Sequence, residues 1–176
     1  MPVVEVLGLP IPDEGLVFLA VIVLHVVTGL TGVVCGATAA LARKGGPVHV
    51  TFGLIYGWAL VAIIATMAAM AVMRWQENWH LVPIGLVAGG ALAIGWLDRR
   101  RKTPGHDRVH IVAMGCSYVA LLTGFYVDNG PHLPLWRYLP DWSFWVIPSV
   151  VGLPIIIAAL RRRPASHAVE PLPEPR

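Results

Sequence analysis

Five apolar runs, each without a single Asp, Glu, Lys or Arg, dominate this chain: residues 15–42, 48–73, 81–97, 109–127 and 143–160. A bilayer core about 30 Å thick is crossed by roughly 20 residues of helix, because each residue advances about 1.5 Å. Every run is long enough to span or nearly so, and in hydrocarbon a spanning segment must satisfy its own backbone, which leaves the helix as its form. The sequence therefore predicts an all-α integral membrane bundle of five transmembrane helices. Its 13% of charged residues, against roughly 25% in soluble domains, leaves little to cover a water-facing surface.

The basic residues orient the bundle. With the N-terminus outside, Arg43, Lys44, Arg99, Arg100, Arg101, Lys102, Arg108, Arg161, Arg162, Arg163 and Arg176 fall on the inner side, and only Arg74 and Arg137 fall outside. Basic loops are retained in the cytoplasm, so the bias predicts N-out, C-in and an odd number of crossings. Trp75, Trp79, Trp136, Trp142 and Trp145 flank the outer face and Trp96 the inner one, as interfacial rings do, while Trp58 falls in mid-span. The net charge of +3 is thus a matter of topology, and no nucleic-acid role is expected. The location this implies is a membrane whose inner side faces the cytoplasm, with the lipid bilayer as the first partner.

The first run is longer than a signal core and follows Glu5, Asp13 and Glu14, which marks it as a retained helix. Residues 1–163 form one transmembrane domain with no evident internal repeat. The tail 164–176, with Pro164, Pro171, Pro173 and Pro175 among polar residues, is expected to be disordered. The outer connection 128–142 interleaves prolines with Leu133, Leu135, Trp136 and Tyr138. It reads as an apolar loop resting on the bilayer, or as an interfacial lid.

Chemistry, if present, lies in the histidines, since ionisable groups inside a membrane are costly. His25 stands in the first span with Gly29, Gly32 and Gly36 on one stripe; the second span carries His49, Gly53 and Gly57 on one face, with Tyr56 adjacent; the fourth carries His110, Met114 and Ser117. His49 and His110 open spans that start from the same side, so they are expected at matched depth, as two axial imidazoles would be. Alternatively both are interfacial caps, and His25 is bonded to a neighbouring hydroxyl or carbonyl. His80 sits beside Trp79 at the outer face, and His106, His132 and His167 read as solvated.

Cys35 and Cys116 read as small apolar residues, although with His49, His110 and Met114 they would also suit copper. Carboxylates are confined to the span boundaries at Asp98 and Asp128, which disfavours a proton-driven transporter. No P-loop, H-E-x-x-H, G-x-S-x-G or CxxC pattern occurs.

His25 with its glycines, a short basic turn, then His49-Val50-x-x-Gly53-x-x-Tyr56 resembles an uncharacterised bacterial family of multi-pass membrane proteins. In that family a first-span histidine precedes a His-Arg-x-x-Gly-x-x-Tyr motif, and a later span begins with another histidine, matched here by His110. The resemblance covers roughly residues 19–126. Val50 replaces the usual arginine, so no role of that arginine carries over.

Two functions follow as expectations. One is a small b-type haem-binding or redox protein, with His49 and His110 as metal ligands and His25, Gly29 and Gly53 completing the cofactor site. The other is a non-catalytic membrane subunit or small-molecule binding protein, with structural histidines and a membrane-protein partner or homo-oligomer.

Overall fold

The computed structural model describes residues 3–6, 9–12, 15–101 and 106–161, with side chains for 15–100 and 107–161. The expected tail, with His167, lies outside the described residues. Two strands, β1 (Val3–Val6) and β2 (Leu9–Pro12), form a short antiparallel hairpin with Val3 opposite Pro12, an element the sequence reading did not anticipate. The rest is helical: α1 (Leu16–Leu41), α2 (Pro47–Met73), a single turn α3 (Trp75–Asn78), α4 (Leu81–Arg101), α5 (His106–Asn129) and α6 (Trp142–Arg161). The connection between α5 and α6 holds two 3-10 turns, Gly130–His132 and Trp136–Tyr138. The five long helices are long and apolar enough to cross a membrane.

α1 and α2 form one antiparallel hairpin and α4 and α5 a second; α2 packs on α4, α1 on α5, and α6 lies against the outside of α5. The α1–α2 turn is built by its residues. Lys44 Nζ donates to Ala40 O, Gly46 N–H donates to Arg43 O, and Pro47 opens α2, where its missing N–H costs nothing. Gly45 takes φ +77°, a region that costs an L-residue about 1–2 kcal/mol. Gly45→Ala should therefore lower stability by about 1 kcal/mol, read as a drop in the thermal midpoint in detergent.

The core lies where the hairpins meet. Leu60, Tyr56, Ala88 and Leu92 are at most 3% exposed, with Cys35, Ile63, Ala120 and Leu121 around them. Glycines set the helix separations: a Cβ on Gly57 would run into the Trp96 indole, and one on Gly36 would strike Tyr118 and Tyr56. These contacts interlock reciprocally, the large ring standing on α4 at the α2–α4 interface and on α5 at the α1–α5 interface.

The two hairpins share a scatter of matching residues. Gly29, Ala39 and Leu41 of α1, with Arg43 just after it, correspond to Gly85, Gly95, Leu97 and Arg99 of α4, and Val48, His49, Ala59 and Leu60 of α2 to Val109, His110, Ala120 and Leu121 of α5. Corresponding residues of α2 and α5 face each other: the His49 and His110 ring centres are 6.3 Å apart, Tyr56 bonds Ser117, and Leu60 and Leu121 share the core cluster. Contacts between equivalents place these residues near a pseudo-two-fold axis that runs along the bundle, as in parallel membrane repeats.

Candidate two-histidine centre

His49 lies in the first turn of α2. Its Nδ1 is 2.8 Å from Ala39 O, one of the last carbonyls of α1, which a helix leaves without an internal donor. His110, expected to open its span, instead lies one turn inside α5, which begins at His106. Its Nδ1 is 3.1 Å from Gly95 O, whose carbonyl has a second lone pair to offer beside its helix bond.

A carbonyl only accepts, so each ring donates through Nδ1–H. In the neutral imidazole that leaves Nε2 as a bare lone pair, and among the described residues neither Nε2 has a hydrogen-bond partner. The ring centres are 6.3 Å apart with the planes at 79°. Two imidazoles that meet one ion end-on through metal–nitrogen bonds of about 2 Å have ring centres about 6 Å apart. A backbone acceptor that fixes the tautomer and the ring is also the usual support behind a metal-binding histidine. The rings are half-buried, and each is bonded to a helix carbonyl of its own hairpin.

One step deeper on the axis, Tyr56 Oη and Ser117 Oγ are 2.8 Å apart, Ser117 donates to Met114 O, and Tyr118 donates to Val33 O. The Tyr56 and Tyr118 rings meet edge-on at 5.9 Å. With every hydroxyl satisfied, this layer locks the two hairpins together. Interhelical hydrogen bonds in a membrane average about 0.6 kcal/mol with a maximum near 1.7, so Tyr56→Phe should cost about 1 kcal/mol by thermal unfolding in detergent.

His25 takes no part in the pair. Its Nδ1 is 2.8 Å from Thr66 Oγ1, whose own proton goes to the Ala62 and Ile63 carbonyls; the ring thus donates to the hydroxyl and ties α1 to α2. About 21 Å of helix separates it from Ala39. His80 stacks edge-on against Trp79.

The glycine faces divide. Gly32, Gly36 and Gly57 are filled by side chains of neighbouring helices; a Cβ on Gly29 would meet nothing within 4 Å, and one on Gly53 only Ala39 Cβ at 4.0 Å. Gly53 alone of these two adjoins the histidine pair. Cys35 is buried in the apolar cluster and Cys116 is half-buried. Among the described residues no three His, Cys, Asp or Glu side chains come together, so neither thiol joins both imidazoles.

Sequence reasoning singled out His49, His110, Met114 and Ser117 but missed Thr66, Tyr118 and the two anchoring carbonyls. Thr66 and Tyr118 are polar residues in apolar spans and were visible on that ground; a carbonyl has no sequence signature. No protein-family model, no curated protein and no solved structure matches this chain.

Proposed function

We propose that the chain is a membrane-embedded metal-binding protein whose single centre is held by His49 and His110, one imidazole from each helical hairpin, at the basic end of the bundle. The observation that carries this reading is the pinning of both Nδ1–H groups by backbone carbonyls, with the two Nε2 lone pairs left over and the rings 6.3 Å apart. Imidazole nitrogen suits zinc, copper, iron and nickel. The eleven basic residues on that side support a site at the cytoplasmic face of a bacterial inner membrane.

Haem b, the form expected from the sequence, would use the same two nitrogens, with the porphyrin supplying the iron's other ligands. The spacing fits axial ligation. The space fits it less well, because of the three filled glycines: Trp96 covers Gly57, Tyr118 and Tyr56 cover Gly36, and Ile63 and Leu121 cover Gly32. A Cβ on Gly53 would meet only Ala39 Cβ at 4.0 Å, so the glycine next to the rings gives room on the scale of an ion more readily than of a macrocycle.

The test is the metal content and optical spectrum of the full chain purified in detergent from cells supplied with both haem and trace metals. Stoichiometric metal that is absent from a His49→Gln, His110→Gln variant is the expected result. A Soret band lost in that variant would identify the occupant as haem. Metal-free, colourless protein from replete cells would leave the histidines as hairpin ties in a membrane subunit.

A further inference from the structure

We infer that Met114 is the third ligand of this centre and that the ion it takes is monovalent copper, held by two imidazole nitrogens and one thioether sulfur. The inference rests on the two-histidine reading above.

Met114 stands one turn beyond His110 on the same face of α5, and long side chains on a helix lean back over the preceding turn. Its sulfur packs toward α4. An ideal Cβ built on Gly95 would lie 2.9 Å from Met114 Sδ, and it is Gly95 O that holds His110 Nδ1 at 3.1 Å. The thioether therefore packs on the same residue whose carbonyl anchors the ring. The lack of a side chain on Gly95 is what admits it there.

The pseudo-two-fold axis sharpens the point. The residue of α2 that corresponds to Met114 is Gly53, so one turn beyond the two histidines α5 carries a thioether and α2 a glycine whose Cβ would meet only Ala39 Cβ at 4.0 Å. A second large residue would fill the axis; the glycine leaves a flexible, unbranched side chain with three rotatable bonds room to turn toward the ion. The symmetry of the hairpins is thus broken at the layer where a third donor belongs.

The donor set then decides the metal. Thioether is a soft ligand that selects Cu(I), and imidazole suits copper as well. Zinc prefers four donors from Cys, His and carboxylate, whereas no third side chain of those types joins the pair among the described residues. Three neutral donors also leave a monovalent ion with one net charge, less costly at a membrane boundary than two.

The experiment uses the full chain in detergent, in a Cys35→Ala, Cys116→Ala background so that every remaining sulfur is a methionine. Cu(I) is supplied without oxygen against a competing chelator, and the bound metal is examined by X-ray absorption. One Cu(I) per chain with two nitrogen neighbours and one sulfur is expected. Met114→Leu, which keeps the side-chain volume, should remove the sulfur neighbour and weaken binding about tenfold, with the elution volume unchanged. If Met114→Leu binds with unchanged affinity and spectrum, or the parent shows no sulfur neighbour, the third-ligand assignment falls while the two-histidine centre stands. Should His49→Gln and His110→Gln bind Cu(I) as the parent does, both fall together. A haem spectrum in the parent would overturn the copper assignment alone.

Discussion

Gly57→Leu should dismantle the bundle more effectively than any other single substitution in its core. A Cβ at that position already meets the Trp96 indole, and a leucine adds three further carbons to the collision. Overpacking costs about 1–3 kcal/mol in soluble cores. Here the upper end is expected, because lipid tails are as apolar as leucine and helix association rests on close packing. The α2–α4 interface joins the two hairpins, so a forced separation there also loosens the Tyr56–Ser117 bond one step away on α2. The expected result is a loss of about 3 kcal/mol in unfolding by denaturant in mixed micelles. Adding Trp96→Ala to the same chain should recover at least half of the loss. Failure of that second change to rescue would show that the indole is not what the glycine accommodates.

The other large effect is on metal. With His49→Ala or His110→Ala alone, one donor of the pair is gone, and the remaining imidazole cannot hold an ion that needs both sides. Bound metal should fall from one equivalent to near zero in either single variant, as read by elemental analysis after dialysis. The two losses should not add, since each variant already removes the site. Stability responds differently. Each alanine also strips Ala39 O or Gly95 O of its ring donor, at about 1 kcal/mol, and these costs should sum in the double variant because the anchors belong to separate hairpins. Additive stability with non-additive binding is the pattern that separates a shared ligand site from two independent ties.

The five spans were legible because a bilayer imposes a length, and uncharged runs measure it directly. Their ends were not. α4 continues to Arg101 and α5 starts at His106, since arginine is a good helix former and a charge does not by itself end a helix; counting uncharged residues stops a turn too early. That error placed His110 at the mouth of its helix rather than one turn within it. The short β1–β2 hairpin escaped notice because Pro10 and Pro12 argue against a strand, although pairing only with β1 leaves one side of β2 free.

The site was half legible. A ladder of His49, Gly53 and Tyr56 and another of His110, Met114 and Ser117 follow from helical spacing. That the ladders face each other did not follow, because the two hairpins share too few identities, chiefly Val-His and Ala-Leu, to reveal the repeat that aligns them. His25, prominent as a lone ionisable group in mid-span, is instead consumed by Thr66. Its role as a tie between helices was the simpler of the two sequence readings.

The measurement that bears most directly on the centre is the nitrogen-15 spectrum of histidine-labelled protein in detergent at mildly alkaline pH, where free imidazoles are neutral. His49 and His110 should each show a protonated Nδ1 and an unprotonated Nε2, and on addition of one equivalent of Cu(I) both Nε2 resonances should shift while those of His25 stay in place. Protonated Nε2 atoms on His49 and His110, or resonances that ignore the ion, would contradict the account.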